Sequence, residues 1–151
     1  MYHFGNCVIE NNNRIINCKE SKRSFIVKNE TEKKILKVQV DKPKDKNSRC
    51  NGLKIKGKKC DCLIIVKEDN FANFIELKGH HVDYAVKQLL NSIKVISDTK
   101  NKFIDKKFNK INAYIVSSKV PKDVNIIKHK KFFKKMEVIL IIKNNKIKIS
   151  I

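Results

Sequence analysis

Three charged residues interrupt two apolar runs in the stretch CDCLIIVKEDNFANFIELKG, which extends from Cys60 to Gly79. They are Asp61, Glu76 and Lys78. Charged side chains are rarely buried without a partner, so their gathering beside CLIIV and ANFIEL calls for a reason. Two carboxylates on one face can hold a hard divalent cation such as Mg²⁺, which binds through one or two carboxylates and keeps several waters. Such a cation lowers the pKa of a bound water and neutralises charge on a phosphate oxygen. A lysine beside it can orient or deprotonate the attacking water and offset charge in the transition state. Metal-assisted phosphodiester hydrolysis needs this set. The same spacing also suits a surface hairpin in which Lys78 pairs with Asp61 or Glu76 as an ordinary cross-strand ion pair.

The elements that must position the trio are two neighbouring strands. With Asp69-Asn70 as a two-residue turn, Glu68 faces Phe71, Asp61 lies opposite Lys78 and Leu63 opposite Glu76. Residues directly opposed, and residues two apart, share a face, so the three side chains converge, with Glu76 and Lys78 ~7 Å apart along the strand. A slip of one residue would send Asp61 to the other face. After the hairpin the period changes. His81–Ile96 (HVDYAVKQLLNSIKVI) repeats its apolar residues at helical spacing and predicts a helix of roughly four turns.

Around this pair, Cys7–Glu10, Phe25–Lys28 and Ile35–Val40 read as strands, and DKPKDKNSRCNG as a surface loop. Leu53–Ile55 suits a further short strand, and Asn101–Lys110 a polar helix or turn. Asn112–Ser117, Glu137–Ile142 and Lys146–Ile151 read as strands, with a basic helical or irregular stretch over Asp123–Lys135. The expected architecture is one α/β domain over residues 1–151, with a mixed sheet flanked by helices and a β-rich N-terminal part.

An Asp on one strand, a short hairpin, then Glu-x-Lys after an apolar run resembles the PD-(D/E)xK nuclease superfamily, whose fold is restriction-endonuclease-like. The matching residues are Asp61 in KKCDCLIIV and Glu76-Leu77-Lys78 in FIELKG, and the helix after them suits the family's strand-strand-helix-strand core. Cys60 stands where the family name places proline. The likeness covers residues 58–117 well and the rest loosely. It implies that Asp61, Glu76 and Leu77 bind Mg²⁺, with Mn²⁺ as a substitute, and that Lys78 assists the water. The superfamily often carries another acidic residue on an early helix, for which Glu20 in NCKESKRSF is the candidate, with Glu10 behind it. Some branches place a glutamine on the helix after the motif near the metal, which points to Gln88. The bland reading of both is a solvated carboxylate and a helix-surface amide.

The formal net charge of +20, from 35 Lys and Arg against 15 Asp and Glu, favours polyanionic partners. Only Arg14, Arg23 and Arg49 are arginines, so 35 − 3 = 32 of the basic residues are lysines, the profile of an AT-rich genome that raises lysine everywhere. The stretch KHKKFFKK (Lys128–Lys135) interleaves Phe132 and Phe133 with lysines; the aromatics are expected to anchor it to the core and some lysines to meet a phosphate backbone. His80 and His81 read as an exposed pair at the helix start.

The five cysteines, Cys7, Cys18, Cys50, Cys60 and Cys62, are expected as reduced thiols in a cytoplasmic protein, since MYHFGNCVIENNN lacks a secretory pattern and no apolar run approaches a membrane span. Cys60-x-Cys62 with Cys50 or the histidines falls short of a usual zinc spacing, and the two cysteines are expected on one strand face, filling core. Taken together, the sequence leads to a Mg²⁺-dependent deoxyribonuclease of restriction, defence or repair type. DNA is preferred to RNA as its partner, with no membrane, and a second copy or partner subunit would serve to cut both strands. A non-catalytic nucleic-acid-binding subunit of the same fold, and a basic interaction protein, are the competing readings.

Overall fold

The apolar runs in the middle of the chain are too continuous for strands with one face in water, and they form the centre of a three-layer α/β structure. A computed structural model describes residues 1–78, 81–119 and 123–151, and, of Asp123 and Val124, the backbone alone. Strand β5 (Cys62–Val66) buries every residue, β6 (Phe71–Lys78) all but its two ends, and β7 (Lys110–Ser117) all but its first two residues. They lie inside a six-stranded sheet completed by β1 (Val8–Asn11), β4 (Ile35–Gln39) and β8 (Val138–Asn144), in the order β1-β4-β5-β6-β7-β8. Neighbours from β1 to β6 are antiparallel, whereas β6, β7 and β8 are parallel, so the sheet is mixed.

Parallel neighbours need crossover connections, and two helices supply them. Helix α1 (Val82–Ser97) joins β6 to β7 and packs on both; α2 (Asp123–Lys135) joins β7 to β8 and packs on β8. The apolar stripe of α1, with Ala85, Leu89, Ile93 and Ile96, meets Leu63, Ile65 and Phe74 from the sheet in one cluster that also takes in Phe133 of α2. Both helices therefore cover one face. The expected flanking helices lie on that face alone, and the other is covered by a second sheet, β2-β3-β9, made of β2 (Ile15–Glu20), β3 (Arg23–Lys28) and β9 (Lys146–Ser150). Ile16, Phe25, Val27 and Ile147 from that sheet pack on Cys62, Ile64, Ile75 and Tyr114. The alternation of buried and exposed residues through IINCKE makes Ile15–Glu20 a strand that the sequence reading overlooked, and it leaves no early helix for Glu20.

Smaller differences have local causes. Leu53 and Ile55 are buried without forming a strand; the Leu53 N–H bonds the Val40 carbonyl at 2.8 Å, so the loop is pinned beyond the end of β4. The polar stretch after α1 holds one short 3₁₀ turn at Thr99–Asn101 and is otherwise irregular. Of the two adjacent phenylalanines of α2, Phe133 is fully buried but Phe132 is 52% exposed, because neighbours on a helix point about 100° apart and only one can reach the core.

The expectation of reduced thiols is overturned for four of the five cysteines. Disulfides join Cys7 to Cys50 and Cys18 to Cys62; Cys60 is the one free thiol and is buried. Nor do Cys60 and Cys62 share a face. The chain bends at Asp61, so Cys60 packs on the helix side and Cys62 on the side of the second sheet. Each bridge closes a loop of more than forty residues (separations 43 and 44), long enough for cross-linking to stabilise the fold by about 2–4 kcal/mol apiece. No helix among the described residues is long and apolar enough to cross a membrane. Thiol titration without reductant should detect no group in the native protein, one (Cys60) in denaturant, and all five only after reduction; three or more thiols in unreduced, denatured protein would contradict the bridges.

Candidate functional site

The β5–β6 hairpin forms, but its turn takes four residues, Lys67 to Asn70, not two, with Asn70 in the left-handed region at φ 47°. Val66 therefore faces Phe71, Leu63 faces Phe74 and Cys62 faces Ile75. The register differs by two residues from that expected, and Asp61 aligns with Glu76, not with Lys78. Because side chains alternate with a period of two, an even shift keeps every residue on its face, so the convergence survives the change of partners.

Asp61 sits at the bend that opens β5. Its N–H donates to the Ile75 carbonyl at 3.1 Å, and its carboxylate Oδ2 accepts the Leu77 N–H at 2.7 Å. The side chain thus takes over the role of a ladder carbonyl where β5 has ended. Its own carbonyl accepts from Val40 N–H, tying the bend to the end of β4. Strand geometry aims the Leu77 carbonyl along the same edge as its N–H, so main chain and carboxylate meet there.

Glu76 is buried, at 2% exposure, and its Oε1 has no hydrogen-bond partner among the described residues. Its Oε2 is 3.9 Å from Lys78 Nζ, which is itself held 4.6 Å over the ring of Tyr84 with Lys58 on the same ring at 4.5 Å. Burial first, and then the negative charge of Asp61, push the Glu76 carboxyl from 4.5 up to about 9, with Lys78 only partly offsetting them. Asp61 is also raised, again chiefly by burial; the Leu77 N–H works against this, while Glu20 and Asp41 add to it. At neutral pH the pair therefore keeps a proton on Glu76, beside the Asp61 carboxyl that accepts the Leu77 N–H.

Helix α1 holds the segment that delivers Asp61. Gln88 Nε2 donates to the Lys59 carbonyl (3.0 Å), Asn91 Nδ2 to the Lys56 and Lys58 carbonyls, and Ser92 Oγ accepts the Cys60 N–H at 2.8 Å. Gln88 is buried and touches the chain two residues before Asp61, which makes it an anchor of this segment. Asn91 and Ser92 had not been singled out. Their signal was present, since positions 88, 91 and 92 form a polar stripe at helical spacing beside the apolar one.

Glu20, at the end of β2, approaches the site from the second sheet and not from a helix. It is bound by Lys44 at 2.6 Å. Glu20, Asp41 and Asp61 line a cleft of about 410 Å³ between the two sheets, together with Lys19, Lys37, Lys42 and Lys44. Asp41 and this lysine set were likewise not marked in the sequence. Burial holds the Lys37 ammonium below its usual range. Glu10 lies elsewhere, on edge strand β1, paired with Lys67 at 2.6 Å. His81 is exposed at the start of α1, and its side chain makes no capping bond; His80 lies outside the described residues.

The chemistry of this donor set suits a hard cation. Two adjacent carboxyls, one with an oxygen buried and unpartnered, are what one or two protein carboxylates must provide for Mg²⁺. Among the described residues no group of three or more His, Cys, Asp or Glu side chains gathers at a metal site, so a third protein ligand there would have to be main chain, at Leu77. Comparison with protein-family models, with curated proteins and with solved structures finds no match to this chain.

A carboxyl raised on folding stabilises the protein below its unfolded pKa and loses that contribution as pH rises through its folded one. Without divalent metal, melting temperature should therefore fall as pH rises from about 5 to about 9, by on the order of a few kcal/mol of stability. Glu76→Gln should flatten that slope and raise the alkaline melting temperature, and Mg²⁺ or Mn²⁺ should restore stability to wild type alone. Parallel pH profiles for wild type and Glu76→Gln would show that no such proton is held.

Proposed function

We propose that the chain is a metal-dependent nuclease that hydrolyses phosphodiester bonds of DNA, and that its sheet is the restriction-endonuclease-like core. The observation that carries this reading is the pair formed by half-buried Asp61 and buried Glu76 beside Lys78, at the end of a central hairpin, with Asp61 on the wall of a lysine-rich cleft. An ion pair kept only for stability would not place a second carboxyl, Asp61, where its charge raises the cost of ionising Glu76.

In this reading Asp61 and Glu76 hold Mg²⁺, with the Leu77 carbonyl as a main-chain ligand. The bound cation supplies Lewis-acid polarisation of the phosphate and a more acidic water. Loss of the Glu76 proton accompanies binding, so affinity rises with pH. The Leu77 N–H favours the anionic form of Asp61 against the burial that opposes it, and the bend is fixed by Gln88, Asn91 and Ser92. Lys78, oriented by Glu76 and the Tyr84 ring, offers its ammonium to the attacking water and to charge developing on the phosphate. Glu20, from the second sheet and paired with Lys44, and Asp41, whose N–H reaches the Asp61 carbonyl at 3.4 Å, share the cleft with Asp61. The cleft lysines add phosphate affinity that falls steeply with salt.

The test is incubation with plasmid, linear duplex, single-stranded DNA and RNA in Mg²⁺, Mn²⁺ or EDTA, beside Asp61→Ala and Lys78→Ala. Cleavage should require metal and should drop by at least about 10²-fold in both variants, the scale of one lost acid–base or electrostatic contribution. Binding without cleavage by every preparation would favour a non-catalytic nucleic-acid-binding subunit. Cutting that survives both substitutions would move the site elsewhere.

A further inference from the structure

A second concave surface lies outside the cleft, between the two helices. It encloses about 740 Å³ and has an apolar floor, built from Val86 and Leu90 of α1 and Phe132 of α2. Around it stand Lys87, Lys128, Lys131 and Lys135. Its acidic residue, Asp83, is occupied by His129 at 2.7 Å, a contact that also ties α2 to α1. Four cations around an uncovered phenyl ring is an unusual use of a helix surface. Phe132, 52% exposed, joins Val86 and Leu90 in an apolar patch rimmed by cations, and a patch of that kind marks an interaction site where a lone exposed ring does not.

We infer that this groove binds single-stranded nucleic acid, with a base stacked on Phe132 and the flanking phosphates on Lys87, Lys128, Lys131 and Lys135. The inference rests on the nuclease reading for its biological sense and names the form in which that site would meet its substrate. Charge complementarity selects a polyanion, and the exposed ring selects one whose π-faces are free. In a duplex the bases are stacked on each other and offer only their edges, so Phe132 would gain nothing from one. The groove also leads toward the candidate catalytic residues. Tyr84, 44% exposed, stands three residues before Lys87 on α1 and carries the Lys78 ammonium on its ring, 4.6 Å from the centroid. Aromatic and cationic groups thus alternate from Phe132, past Lys87 and Tyr84, to Lys78.

Fluorescence anisotropy in EDTA tests the groove independently of cleavage. The probes are a labelled oligothymidylate, an abasic deoxyribose-phosphate strand of equal length, the corresponding duplex, and polyglutamate. Wild type should bind oligothymidylate most tightly. Phe132→Ala should weaken that binding by about tenfold, the scale of one lost base–aromatic stack, and leave the abasic strand unaffected; Phe132→Tyr should restore it. Lys128→Ala/Lys131→Ala/Lys135→Ala should weaken both strands alike and flatten the salt dependence by about two units of log–log slope. These substitutions replace exposed side chains of α2, and an unchanged melting curve verifies the fold. Loss on Phe132→Ala that is equal for base-bearing and abasic strands would overturn the inference, as would no loss, or Phe132-dependent binding that is tightest for duplex. So would polyglutamate binding with the same dependence on Phe132, which would make the groove a site for acidic peptide. Groove binding that persists in a protein that never cleaves would count against the nuclease reading alone.

Discussion

One short hydrogen bond, from the Leu77 N–H to the Asp61 carboxylate, sets the arrangement on which the rest depends. It lies at the point where β5 gives out and β6 runs on paired with β7 alone, and a side chain there completes a ladder that the backbone of β5 has left. Were the acceptor a carbonyl, β5 would extend by a residue and close the edge. With an aspartate, the edge stays open and carries a carboxyl group. The neighbouring Glu76 is held inside the sheet by the same strand, so the two carboxyls face each other because the ladder ends where it does, and their shared proton is a consequence of that ending.

Around this point each layer contributes one element. The six-stranded sheet sets the register, helix α1 fastens the approach to Asp61 through Gln88, Asn91 and Ser92, and the second sheet brings Glu20 and closes the cleft. A polar stripe on an otherwise apolar helix would be costly if it faced nothing. Here it is matched to four main-chain groups of an irregular segment, which would otherwise lie unpaired beneath the helix. The segment from Lys56 to Cys60 can therefore lack regular structure and still hold a fixed position.

What the sequence made legible follows from periodicity. The buried strands and α1 could be read because continuous apolar runs and a helical repeat are strong local signals, and the grouping of Asp61, Glu76 and Lys78 on one side survived an error in turn length because the error was even. The opposition of Asp61 to Lys78 did not survive, since nothing in KEDN distinguishes a two-residue turn from a four-residue one. Strand β2 went unread because its alternation is short and its outward residues include Ile15, 64% exposed, which blurs the contrast between faces. The disulfides and the second sheet depend on contacts between residues more than forty positions apart or at opposite ends of the chain, as β3 with β9, and no local pattern encodes them.

The order of the bridged cysteines along the chain is crossed, with Cys18 inside the loop closed by Cys7 and Cys50, and Cys50 inside the loop closed by Cys18 and Cys62. Every peptide bond between Cys7 and Cys62 is thus spanned by at least one bridge, and every bond between Cys18 and Cys50 by both. A protease that nicks the exposed DKPKDKNSRCNG loop releases no fragment: β1 and β2 remain covalently attached to the sheets they complete, and Glu20 remains tethered across from Asp61. For this chain, backbone continuity between Cys7 and Cys62 matters less than the integrity of two sulfur–sulfur bonds.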